Sequence, residues 1–275
     1  MTHFQHLPIK GNLKIVYLST LVLIVLFSAL SVTGIVFHKE LYPDEALWIT
    51  FLPNDVVNLL MGLPMISFSL ILTRRQKLLG LLCFPGALFY CTYIYATYLL
   101  GLPFSVLFIP YLFVVALSIY TLIGLIASID VQGVCQQLEG HVPVRSAGII
   151  LLGIAILLVA YQIYAMTVSV IQKESPDQVA IAQWIVDFVI AAPPVMIIGI
   201  LMIRRKAFGY ALGMSLLFLL SALFFSLVPF MIIKAVLSNT QVSVVDIIVV
   251  GISSLICIIP FGLFVKGLKE SASTP

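Results

Sequence analysis

Long apolar runs separated by short polar breaks organise this chain, and the runs are continuous rather than alternating. Leu21 to Phe27 and Ile149 to Ala160 show this most plainly. A membrane-spanning helix needs roughly 20 mostly apolar residues. Eight stretches qualify, and they predict helices over about 15–37, 54–73, 78–100, 104–128, 146–171, 184–203, 208–236 and 244–265. Strands of a membrane barrel would alternate apolar and polar residues. Helices are the other solution in which every backbone group is bonded inside lipid. The first run follows Lys10 and Lys14. It exceeds the ~7–15-residue core of a signal peptide and is read as a retained helix. His38 to Pro53 reads as a polar, acidic loop before the second span. The predicted fold class is an all-α polytopic integral membrane protein.

The breaks recur. Asn58 stands six positions before Pro64, and Asp187 stands six before Pro193. Each proline opens an apolar run that ends in a basic turn, Arg74-Arg75-Gln76-Lys77 or Arg204-Arg205-Lys206. Pro43-Asp44 and Pro176-Asp177 precede the two segments, and Gly80 and Gly209 follow them. With small indels this predicts a parallel duplication of a four-helix unit, residues 1–140 and 141–275. An even number of helices per half gives both halves one orientation, related by an axis along the membrane normal.

Composition sharpens the class. Of 275 residues, 62% are hydrophobic and 9% charged, where a soluble domain has ~45–50% and ~25%. So little charge cannot cover a globule in water, which excludes a soluble enzyme, a nucleic-acid binder and a disordered chain. The charges also predict orientation. With the N-terminus inside, Lys10, Lys14, Arg74, Arg75, Lys77, Arg145, Arg204, Arg205, Lys206, Lys266 and Lys269 face the cytoplasm. Lys39, Lys173 and Lys234 do not. Both termini are therefore expected on the cytoplasmic side of the cell membrane. Glu40, Asp44, Glu45, Asp55, Glu174, Asp177, Asp187 and Asp246 lean to the outer side.

An ionisable group inside a span costs about 2.5–3.5 kcal/mol at the centre, so each one is a functional candidate. Asp55 and Asn58 share a helix face at i, i+3. They suit a polar pocket open to the outside, although Asn54 as N-cap with Asp55 in the first turn is the more economical reading of Asp55. Asp187 lies about one turn into its helix and matches Asn58 in the repeat. Pro64 and Pro193 each free a carbonyl about one turn back, near Leu60 and near Val189 or Ile190, which can join such a site. The alternative for both polar residues is an interhelical hydrogen bond that holds the bundle. Lys234 either snorkels to the outer surface or pairs with Asp187 or Asp246. Asp246 follows Ser243 at capping-box spacing and reads as a cap. Tyr90 and Tyr93 share one face of the third helix, and Tyr95 and Tyr98 another. They read first as an aromatic belt with packing, and second as a wall around a lipid tail or ring.

No HExxH, GxSxG, P-loop or paired intramembrane histidine is present in the sequence. His38 and His141 fall at opposite ends of the predicted bundle, and His3 and His6 lie in the N-terminal tail. No metal or other cofactor is expected. Cys83, Cys91, Cys135 and Cys257 form no CxxC pair and read as small hydrophobes. The runs Asp55-Val56-Val57-Asn58-Leu59-Leu60-Met61-Gly62-Leu63-Pro64, Arg74-Arg75 and Pro85-Gly86-Ala87-Leu88-Phe89-Tyr90 resemble an uncharacterised family of prokaryotic multi-pass membrane proteins. Arg204 to Leu212 is similar to it as well. The resemblance implies the membrane fold and brings no activity with it. Three functions remain open. One is binding or transport of a small molecule or lipid through an outward polar pocket. The second is a membrane-embedded enzyme using the carboxylates Asp44, Asp55, Asp177 and Asp187. The third is a non-catalytic subunit or scaffold. The expected partners are the bilayer and a small molecule or lipid.

Overall fold

The computed structural model describes residues 7–273, so His3 and His6 lie outside the described residues. Among those residues, eight helices are long and apolar enough to cross a membrane. They are Lys14–Val36, Glu45–Arg74, Leu78–Gly101, Phe108–Ser128, Val144–Gln172, Gln178–Ile203, Ala207–Leu237 and Val244–Ser271. The protein is an all-α polytopic membrane protein. Short helices at His38–Leu41 and Val131–Leu138 fill two of the connections.

Two helix starts differ from the sequence reading. The second helix begins at Glu45, not near residue 54, and carries Pro53 inside it. Ala46 to Leu52 is apolar enough to continue a helix once the rest of the bundle covers it, and helix-internal proline is tolerated in membranes. Asn54 is therefore no N-cap. Its amide donates to Thr50 O at 3.2 Å, an intrahelical contact. The sixth helix begins at Gln178, capped by Asp177, whose carboxylate accepts from the Ala180 N–H at 2.7 Å. Asp55 and Asp187 consequently lie about two to three turns inside their helices.

Both helices contain one wide π-turn, Asn58–Gly62 and Val186–Ala191. The Leu63 N–H bonds Asn58 O, and the Ala192 N–H bonds Asp187 O, each five residues back. Proline follows at once and has no N–H to offer. The carbonyls of Leu59 and Phe188 thus lose both ladder donors, since the N–H four residues on is already engaged and the next is missing. The two basic turns also match. Lys77 N–H bonds Leu72 O and Lys206 N–H bonds Leu201 O, both at 2.9 Å. Gln76 and Arg205 take left-handed φ of 56° and 50°, as the Schellman closure of a helix requires.

The third helix is the most buried of the eight. It meets the seventh at backbone distance, because a Cβ on Gly86 would collide with Ser215 O. Ser215 Oγ donates to Leu82 O at 2.5 Å across the same contact. The fifth and sixth helices approach through Gly148 and Gly199, where a Cβ on Gly148 would stand 2.8 Å from Gly199 O. Small residues at such crossings give the close packing that substitutes for a hydrophobic drive in lipid. One end of the bundle gathers the basic turns with the start of the first helix, as Arg74 stacks 5.7 Å from the Tyr17 ring. Lys10 and Asp130 pair there at 3.9 Å.

Candidate functional site

The polar candidates Asp55, Asn58 and Asp187 each centre a buried cluster, and each cluster touches the third helix. The first surrounds Asp55, which is 1% exposed. Tyr42 donates its hydroxyl to Asp55 Oδ2 at 2.6 Å, and Tyr98 donates to Oδ1 at 2.9 Å. The carboxylate fits because residue 34 is glycine: a Cβ there would overlap Asp55 Oδ2 and stand 2.8 Å from the Tyr42 hydroxyl. Phe51 packs edge-on to Tyr98 at 4.8 Å, and Tyr111 lies 5.5 Å from the same ring. Burial, reinforced by the Asp55 charge, pushes the Tyr42 phenol up, so Tyr42 serves as a neutral donor.

The second cluster is one turn deeper. Tyr90 donates to Asn58 Oδ1 at 3.2 Å. Asn58 is fully buried, and its Nδ2 has no partner. Gly62 leaves room for this contact, because a Cβ there would stand 2.6 Å from the Tyr90 ring and 2.7 Å from Phe27. An unpaired buried amide group costs about 1–3 kcal/mol. Turning the amide over moves the vacancy from Nδ2 to Oδ1 and does not remove it.

The third cluster is centred on Asp187, 3% exposed. Tyr93 donates to Oδ1 at 2.9 Å, and Gln183 Nε2 donates to the same oxygen at 3.1 Å. Gln162, from the fifth helix, gives its Nε2 to Oδ2. Gln183 also donates to the Tyr93 hydroxyl at 2.6 Å, closing the group. Among the described residues, neither Asp55 nor Asp187 forms an ion pair. Both carboxylates are held by neutral donors alone.

The sequence candidates separate accordingly. Asp55, Asn58, Asp187, Tyr90 and Tyr93 are brought to these clusters. The capping reading of Asp55 is overturned, because its helix starts about three turns earlier and its oxygens face two tyrosines. The belt reading of the tyrosines is overturned too: Tyr90, Tyr95 and Tyr98 are buried and their hydroxyls point inward. Lys234 is not part of any cluster. It pairs with neither Asp187 nor Asp246, and its ammonium sits 5.9 Å from the Phe230 ring on an exposed side chain. Asp246 receives its own capping contact as expected, its N–H bonding Ser243 Oγ at 3.2 Å. Asp44 and Asp177 are exposed at helix starts, and neither shares a hydrogen bond with Asp55 or Asp187.

Three participants escaped the sequence reading: Tyr42, Gln162 and Gln183. Gln162 carried a usable signal, being an isolated amide inside an apolar run of its helix. Tyr42 carried none, because it stands in a connection. A separate cavity of about 110 Å³ lies between the third, fourth, sixth and seventh helices. Pro85, Phe89, Leu122, Pro194, Ile198 and Leu212 line it, so it offers an apolar surface. Compared with known proteins, the chain matches no family model, no curated protein and no solved structure.

Proposed function

We propose that this multi-pass protein binds or transports a small molecule through a polar site centred on Asp187, with Asn58, Tyr90 and Tyr93 beside it and Asp55 one turn further out. The site opens to the outer face, and both termini lie in the cytoplasm. The observation that carries the reading is the environment of Asp187. A carboxylate with no cation partner is placed inside a span, where ionisable groups are costly and are retained for a task. Three donors from three different helices hold it. A purely structural contact needs only one donor and returns about 0.6–2 kcal/mol. The repeated π-turn, proline and basic turn support a duplicated four-helix unit, with Tyr93 of the first half reaching Asp187 of the second. An enzyme is less well supported, since the carboxylates are not joined: Asp44 and Asp177 are exposed at helix starts, and Asp55 and Asp187 share no hydrogen-bond partner.

Thiol labelling tests the opening. Gln183→Cys and Tyr93→Cys variants in right-side-out vesicles should react with a membrane-impermeant thiol reagent. Leu60→Cys, on an exposed apolar face of the second helix, should not react. An unreactive Gln183→Cys in folded protein would overturn the outward pocket.

A further inference from the structure

We infer that the Asp187 cluster is a binding site for a small monovalent cation, an assignment that rests on the proposed binding function and names the charge class of what the site accepts. The first argument is charge. Tyr93, Gln162 and Gln183 are neutral, so none of the hydrogen bonds to Asp187 brings a countercharge to its carboxylate. No basic side chain within the described residues reaches it. An anion is excluded by the same field, which in a low-dielectric interior acts far more strongly than in water.

The second argument is an excess of acceptors. Gln162 and Gln183 each give Nε2 to the cluster, and among the described residues their Oε1 atoms make no hydrogen bond. The π-turn and Pro193 deprive the Phe188 carbonyl of both ladder donors. These acceptors are carried by Gln183 and Phe188, four residues before and one residue after Asp187 on the sixth helix, and by Gln162 on the fifth. Oxygen groups without donors are what a hard cation takes as ligands. Broken or widened helix turns supply such carbonyls to cation sites near the middle of the membrane.

The third argument fixes the valence. Only one carboxylate stands in the cluster. Among the described residues no group of three or more His, Cys, Asp or Glu side chains could hold a metal ion, so the several charged ligands that a divalent ion usually takes are missing here. One negative charge balances one positive charge.

Thermal unfolding of the purified full chain in detergent tests the assignment. Sodium, potassium and methylammonium chloride are compared with N-methylglucamine chloride at equal ionic strength. At least one of the three small cations should raise the unfolding temperature saturably above N-methylglucamine. The alkali arms and the methylammonium arm tell a bare ion from an ammonium group. Asp187→Asn should abolish the shift, and Asp177→Asn should keep it. If Asp187→Asn fails to fold, Gln162→Leu serves instead and should raise the half-saturating concentration roughly 10–100-fold. Equal unfolding temperatures in all four salts would overturn the cation site, as would a shift that survives Asp187→Asn. Outside labelling of Gln183→Cys combined with equal temperatures would leave the open pocket standing and remove only the cation.

Discussion

Tyr93 and Asp187 are joined at 2.9 Å across the contact between the third and sixth helices. The tyrosine oxygen also accepts from Gln183, so one hydroxyl links the carboxylate to the amide. Removing it strips a donor from a buried carboxyl acceptor. Tyr93→Phe should destabilise the folded protein by about 1–3 kcal/mol. Tyr90→Phe removes a bond to a neutral amide and should cost less, about 0.5–1.5 kcal/mol. Unfolding of both variants in mixed detergent micelles checks the order. Equal costs would show that the Asp187 carboxylate draws nothing extra from Tyr93.

The Asp55 cluster makes a sharper prediction, because its two donors act on one group. Tyr42→Phe and Tyr98→Phe should each cost about 1–3 kcal/mol, since each leaves a buried carboxylate short of a donor. In an Asp55→Leu background the same two changes should cost far less, because no carboxyl acceptor remains to be served. The interaction energy of each double-mutant cycle should fall in the range of about 0.5–3 kcal/mol. A cycle that closes to zero would mean that the tyrosines matter only for packing.

Gly34 and Gly153 predict opposite signs for the same substitution. A Cβ on Gly34 would overlap the Asp55 carboxylate, so Gly34→Ala must displace the Asp55–Tyr42 contact. Overpacking of this kind costs about 1–3 kcal/mol. Gly153 lies mid-helix with nothing within 4 Å of the added carbon. Gly153→Ala should therefore stabilise by about 0.5–1 kcal/mol through helix propensity alone. Melting temperatures of the two variants, measured side by side, decide it.

How far the residues announced all this depends on the range of the interaction. The eight spans are written in continuous apolar runs, since length and hydropathy are local properties. The polar residues that matter were also visible, because Asp55, Asn58 and Asp187 interrupt those runs. Their partners were not, because a hydrogen bond between helices depends on rotation about each helix axis. The second helix shows the limit clearly. Asp44, Glu45 and Pro53 argue locally for a loop, whereas packing of Phe51 and Tyr98 keeps that stretch helical. Three extra turns moved Asp55 from a helix end to a buried position and changed its meaning. Pro64 and Pro193 pointed to a freed carbonyl, but only the backbone reveals the π-turn that moves it to Leu59 and Phe188.

Lys234 supplies the last prediction. Its place in the sequence allowed a pair with Asp187 across the outer part of the bundle. In the fold its side chain is exposed beside Phe230, and the Asp187 oxygens are engaged by Tyr93, Gln162 and Gln183. A cation–π contact at an exposed site is worth about 0.5–1 kcal/mol, so Lys234→Ala should cost no more than that. Asp187→Asn should change stability separately, through its own three donors. For residues that share no partner the two effects add to within about 0.3–0.5 kcal/mol. The double variant, unfolded beside the two singles, measures the sum directly. A coupling well above that range would place Lys234 against Asp187, and the carboxylate would then already have its cation.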